Sequence, residues 1–193
     1  MAEHKLNRSY SVEEYFDLES TDPKTKYEFV DGIIYAMAGG TIRHGLLISN
    51  VLYWVKDGLR KAGKPCKTFS GDVKVSVEHA NSYLYPDVFV VCGKIDDEKN
   101  PNHAIKNPKL IIEVLSESTQ NYDQTHKFRL YRSNPSFEEY IMIDQEQAIV
   151  ESFVRISNDH WQIRTYIGLD KEIELSSIGI SLRMQDIYED VMS

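Results

Sequence analysis

The stretch that most constrains this chain is Val88–Cys92, five apolar residues in succession behind Tyr85-Pro86-Asp87. Successive side chains of a strand point to opposite faces. Val88, Val90 and Cys92 therefore line one face, and Phe89 and Val91 the other. With both faces apolar, the segment belongs to a central strand covered on both sides. Proline cannot donate to a strand ladder and sits at a strand's start or at a bulge, which places Asp87 at the edge of a buried region. An aspartate there often does no more than satisfy a loop amide.

A second strand, Lys109–Leu115, carries a comparable oddity. Leu110, Ile112 and Val114 form a clean apolar face, while the opposite face holds Lys109, Ile111, Glu113 and Leu115. A carboxylate between Ile111 and Leu115 is costly to bury unless it is paired or binds a metal. After a polar turn, Ser116–Thr119, a helix opens at Asp123 and ends before Pro135. With Phe128 and Tyr131 packed inward, Lys127 stands beside them, and its four-carbon stem reaches back toward the end of the preceding strand.

The remaining segments read as one mixed α and β domain over residues 1–193, without repeats or a linker. Ser11 and Glu14 form a capping box before a helix from Val12 to about Leu18. Lys26–Asp31 and Ile33–Ala38 make a hairpin around Asp31-Gly32, with Gly39-Gly40 as an equal candidate to end it in a longer loop. Thr41 caps a helix to about Lys61, with Leu47, Val51 and Val55 on one face and Gly63 past its end. Val73, Val75 and Val77 alternate as in a half-buried strand, and Asn81-Ser82 turns this strand into Tyr85–Cys92. Residues 93–108 are expected to be a loop. Glu138–Asp144 and Ala148–Ile156 form another hairpin, Trp161–Ile167 and Glu172–Leu175 add strands, and Met184–Glu189 a last helical turn.

Composition narrows the class of protein. Apolar residues make up 41% of the 193, enough to offset the entropy of ordering and exclude disorder as the main state. The longest apolar-leaning stretch, Gly45–Val55, is far too short for a bilayer, and MAEHKLNRSY lacks a signal-peptide core, so the expected compartment is the cytoplasm. Cys66 and Cys92 have no CxxC spacing and no neighbouring histidines, so neither a disulfide framework nor a zinc site is expected. The net charge of −8 is uneven: residues 1–75 hold 11 basic and 10 acidic side chains, residues 76–193 hold 11 and 20. A protein that wraps nucleic acid by charge alone would be more basic. Lys56, Arg60, Lys61, Lys64 and Lys67, opposed only by Asp57, make one local basic patch, which reads either as a weak DNA-binding surface or as a solvated helix end.

These pieces resemble the PD-(D/E)xK nuclease superfamily, and more closely its Uma family of restriction-endonuclease-like proteins. The resemblance rests on the order of YSVEEYFDLE, KYEFVDGIIYAMAGGT, Arg43-His44, FSGDVKV, YLYPDVFVVC, NPKLIIEVLSEST, YDQTHKF and YIMID. It implies a restriction-endonuclease-like α/β (α+β) core, a central mixed sheet flanked by helices, and Mg²⁺-dependent hydrolysis of DNA phosphodiester bonds, with Mn²⁺ able to substitute. Asp87, Glu113 and the Val114 backbone carbonyl would hold the metal. The superfamily lysine two residues after the glutamate is here Leu115, and the resemblance moves that role to Lys127 on the following helix. Three more residues match family positions. Asp72 would begin the strand that pairs with the Asp87 strand and bring a third carboxylate near, or else serve only as a turn residue. Glu28 would complete the metal's outer shell, or else pair with Lys26, and His44 would contact phosphate or water. A homodimer is implied as well, since two sites must face two strands.

Two other readings compete. A catalytically silent relative would bind nucleic acid or protein on the same fold, and convergence of Asp87, Glu113 and Lys127 distinguishes the two. A two-carboxylate glycosidase would hold its acids about 5–10 Å apart, with Tyr83 and Tyr85 as a sugar platform.

Overall fold

In chain order the elements are α1 (Val12–Thr21), β1 (Tyr27–Val30), β2 (Ile33–Ala36), α2 (Ile42–Lys61), β3 (Cys66–Ser70), β4 (Val75–Val77), β5 (Ser82–Leu84), β6 (Val88–Cys92), β7 (Leu110–Leu115), α3 (Phe128–Tyr131), β8 (Glu139–Asp144), β9 (Ile149–Ser157), β10 (His160–Ile167), β11 (Glu172–Leu175), β12 (Ile180–Arg183) and α4 (Met184–Ile187). The computed structural model describes residues 8–37, 39–97, 104–116 and 126–192; the proposed helix start at Asp123 lies outside them.

Local signals set the first half. The Ser11–Glu14 capping box forms as expected, and α1 runs on to Thr21. Asp31 (φ 44°) and Gly32 (φ 87°) make the two-residue hairpin turn between β1 and β2. Both central residues have positive φ, the backbone that Asp-Gly favours. Thr41 Oγ1 accepts the His44 N–H and caps α2, and Gly63 follows the helix at φ 62°.

The strands fall into three sheets. A six-stranded mixed sheet has the order β10-β9-β8-β7-β6-β3, with β7 and β8 parallel and the other neighbours antiparallel. A four-stranded sheet runs β2-β1-β5-β4, and β11 and β12 pair alone. On one face of the large sheet, Val88, Val90, Leu110, Ile112 and Val114 meet Leu47, Val51 and Val55 of α2, together with α4 and the β11–β12 pair. On the other face, Phe89, Val91, Ile111 and Leu115 meet Val75, Val77 and Leu84 of the smaller sheet and Tyr131 of α3. The doubly apolar strand is thus covered twice, as its sequence requires.

One connection differs from expectation. The alternating valines do not turn directly into the Asp87 strand. β4 pairs with β5 through a short 3₁₀ turn, Glu78–Ala80, and only then does the chain pass through Tyr85-Pro86-Asp87 into β6 of the other sheet. Pro86, without an N–H, stands at this crossing from one sheet to the other.

The cysteines also differ. Cys66 and Cys92 are direct partners in the β3–β6 register and form a disulfide. Strand pairing, not local spacing, brings them together, so no motif announced it. The bond clips edge strand β3 to β6 across a sequence separation of 26. By loop-closure entropy, reduction is expected to cost about 3.5 kcal/mol, measured as the shift of the urea midpoint in reductant. An unchanged midpoint would show that the pairing alone holds β3.

Glu139, at the start of β8, is fully buried and accepts hydrogen bonds from Ser176 N–H, Ser177 N–H, the Ser177 hydroxyl and the Ser152 hydroxyl. Burial raises its pKa despite those donors. In the window just above the ordinary carboxylate pKa the folded chain then holds more protons than the unfolded one, so this group's contribution to stability falls as pH rises through that window. The difference in stability between wild type and Glu139→Gln, followed by urea unfolding from pH 4 upward, should trace that fall; a flat difference would refute it.

Candidate active site

Asp87 and Glu113 stand opposite each other, one residue past the Val88–Ile112 pair of the β6–β7 ladder. The Asp87 N–H donates to Glu113 Oε2 at 3.2 Å, and the Val114 N–H donates to Asp87 Oδ2 at 2.8 Å. A strand residue directs its N–H and C=O toward the same neighbour, so the Val114 carbonyl lies on the edge of β7 that faces Asp87. The Asp87 side chain keeps 17% of its exposure, whereas Glu113 is buried at 2%. One carboxylate therefore meets solvent and the other lies beneath it.

Lys127 closes the cluster from below. At the N-terminal edge of α3 it is buried, and its Nζ lies 3.0 Å from Glu28 Oε1 and 3.3 Å from Glu113 Oε1. Glu28 comes from β1 in the smaller sheet and also accepts the Tyr85 N–H at 3.0 Å. The expected convergence of Asp87, Glu113 and Lys127 is present. Glu28 pairs with Lys127, not with Lys26, and it ties the two sheets together at the Pro86 crossing. A lysine shared by two buried carboxylates offsets part of their burial cost and fixes its own ammonium in place.

His44, in the first turn of α2, directs Nε2 to Asp87 Oδ2 at 3.2 Å. The same turn is moored to the β8–β9 connection, where the Thr41 hydroxyl donates to Gln145 Oε1 at 2.7 Å and Arg43 pairs with Glu146.

Asp72 does not join. The strand that pairs with β6 ends at Ser70, so Asp72 lies beyond it in the following turn. Its side chain is 82% exposed and pairs with Lys26 at 2.5 Å. The sugar-platform tyrosines are committed elsewhere: Tyr83 packs among Tyr15, Phe16 and Phe29, and the Tyr85 hydroxyl donates to Glu19 Oε1 at 2.9 Å. Burial and the Glu19 charge hold the Tyr85 hydroxyl protonated well above the ordinary range. Within the basic patch, Arg60 and Lys61 pair with Asp57, whose pKa is lowered by Lys61 first and Arg60 next. The patch lies at the far end of α2, about 24 Å along the helix from His44 at 1.5 Å per residue.

One contributor escaped sequence reasoning. The Tyr131 hydroxyl reaches Glu113 Oε1 at 3.5 Å. Its spacing of four from Lys127 put both on one helical face, a signal that could have paired them.

The fold thus brings an acidic pair to the mouth of a mixed sheet and delivers a lysine to it from the next helix. A crystal structure described as a putative nuclease belonging to DUF820, from Anabaena variabilis, superposes with a TM-score of 0.75, covering 95% of this chain and 99% of its own at 16% identity. The chain belongs to the Uma2 family, described as "Putative restriction endonuclease", which it matches over residues 12–185. Two proteins of Synechocystis sp., the uncharacterized slr1290 and sll1609, are each 33% identical to it. The first match covers 92% of this chain and 90% of the relative, the second 80% and 86%. Among the described residues no helix is long and apolar enough to cross a membrane.

Proposed function

We propose that the chain is a Mg²⁺-dependent endonuclease that hydrolyses DNA phosphodiester bonds, acting in the cytoplasm as a single nuclease domain. The observation that carries this reading is the buried Lys127 ammonium 3.3 Å from Glu113, a cation supplied from the helix where the strand itself offers Leu115.

The donor set suits a hard cation. Asp87, Glu113 and the Val114 carbonyl are oxygen ligands on two adjacent strand ends. Among the described residues no three His, Cys, Asp or Glu side chains gather into a cage. Mg²⁺ keeps several of its waters and needs only one or two carboxylates, so this set is sufficient for it, and Mn²⁺ accepts the same oxygens. Bound there, the metal would supply charge stabilisation and a water more acidic than bulk. The chain's own residues do the rest. Asp87, which keeps 17% of its exposure, would hold the cation on the solvent side of the pair. Lys127, held by Glu28, places a fixed positive charge beneath the reacting group, where preorganised charge favours the transition state over the ground state. His44 holds Asp87 in one orientation. Lys56, Lys64 and Lys67 would give a DNA backbone running along α2 a second, weaker contact.

Incubating the purified protein with supercoiled plasmid and Mg²⁺ or Mn²⁺ should yield nicked and linear forms, and chelation should stop the reaction. Intact plasmid under every metal condition would leave a silent binding protein on this fold. A two-fold homodimer is part of the reading, because two sites then face the two strands. A monomer by light scattering, with cleavage linear in protein, would remove it.

A further inference from the structure

We propose that Gly40 is a positioning residue for the site: it leaves empty the space that the His44 ring needs in order to hold Asp87. This deepens the nuclease reading and rests on it for the effect on cleavage. A Cβ on Gly40 would stand 2.6 Å from His44 Nδ1, closer than such atoms approach, and a tight 3.2 Å from its Cγ. The other ring nitrogen, Nε2, is the one that meets Asp87 Oδ2 at 3.2 Å. The imidazole is thus bracketed, with Gly40 behind it and the candidate metal ligand in front.

The backbone at Gly40 does not itself call for glycine, because its φ lies outside the left-handed region that Gly32 and Gly63 occupy. Nor can the His44 main chain give way easily. Its N–H is held by the Thr41 hydroxyl at 3.1 Å, and Thr41 is moored to Gln145. A methyl group at position 40 would therefore be relieved by turning the ring about its side-chain bonds, which carries Nε2 away from Asp87. The cost falls on the contact, not on the fold. Gly39 supplies an internal contrast, since nothing lies within 4 Å of where its Cβ would be.

The experiment compares Gly39→Ala, Gly40→Ala, His44→Ala and the double variant Gly40→Ala/His44→Ala. It uses plasmid cleavage in Mg²⁺, thermal melting, and the imidazole ¹⁵N spectrum of the metal-free protein at one fixed pH. Gly40→Ala should melt with the wild type, lose about 10- to 100-fold in cleavage rate as small misplacements do, and displace the His44 Nε2 resonance. Gly39→Ala should change none of these. The double variant should cut no more slowly than His44→Ala, because alanine at 44 leaves nothing for the added methyl to meet. An unmoved Nε2 resonance in Gly40→Ala would overturn the proposal. So would additive losses in the double variant, or a fall in melting temperature showing that the backbone yielded and not the ring. If the wild-type chain cuts no DNA, the nuclease reading fails, while the imidazole spectrum still decides the role of Gly40.

Discussion

Replacing Lys127 with methionine is expected to do two separable things. It strands Glu28 and Glu113 as buried carboxylates without their shared cation. Breaking such a cluster by removing one partner costs about 3–5 kcal/mol, readable as the fall in urea midpoint. Under the proposed mechanism it also removes a fixed charge from beneath the reacting phosphate, which should lower the cleavage rate by about 10²–10³-fold. The second change Glu28→Gln separates the effects: with one carboxylate neutralised, most of the stability should return while cleavage stays lost. Mg²⁺ affinity should survive in the double variant, since Asp87 and Glu113 remain. Adding Leu115→Lys to the lysine-less protein should recover some activity, because residues 113 and 115 share a strand face. Recovery stays partial because Leu115 is buried. A Lys127→Met protein that unfolds and cuts like wild type would reduce Lys127 to a spectator.

Asp87→Asn is expected to abolish metal binding without harming the metal-free fold. Asparagine keeps a side-chain oxygen to accept the Val114 N–H, and losing one of two adjacent negative charges relieves their repulsion. The contact with His44 becomes neutral, a small loss for a pair that is partly exposed. Wild-type protein at a Mg²⁺ concentration of 100 times Kd should gain about 2.7 kcal/mol of stability by mass action; the variant should gain none. Cleavage should fall below detection in the same samples. Calorimetry showing equal Mg²⁺ affinity in the two proteins would falsify the ligand assignment.

What could be read from the sequence divides along a physical line. α2 and the β1–β2 hairpin were legible because their signals are local: a capping threonine, a 3.6-residue apolar stripe, an Asp-Gly turn. Glu113 was legible because Ile111 and Leu115 bracket it on one face of a strand. β3 was missed, because Cys-Lys-Thr-Phe-Ser has no clean alternation and earns its place only by pairing with β6. Asp72 was misplaced for the same reason, since Ser70 ends that strand and Gly71-Asp72 begins a turn. β12 and the Cys66–Cys92 bond likewise depend on partners distant in sequence or on exact register. Lys127 is singled out only by the resemblance. Its burial between Glu28 and Glu113 could not be read from its helix, because nothing local shows that a second carboxylate arrives from another sheet. The fold class needed only the doubly apolar strand, whereas the charge balance of the site needed the tertiary structure.

The Glu28–Lys127–Glu113 cluster joins residues from three parts of the chain that are 85 and 14 positions apart. Each comes from a different element, so the complete cluster forms only once the smaller sheet, the larger sheet and α3 have all docked. Contacts this distant in sequence carry a loop-closure cost before they are rewarded. A partly folded chain would therefore hold its lysine and its carboxylates in water, with no preorganised charge to offer a phosphate. Activity under the proposed mechanism then arrives in one step, with the completed fold. Under that mechanism a chain still being synthesised, or one beginning to unfold, would pose no threat to nearby DNA.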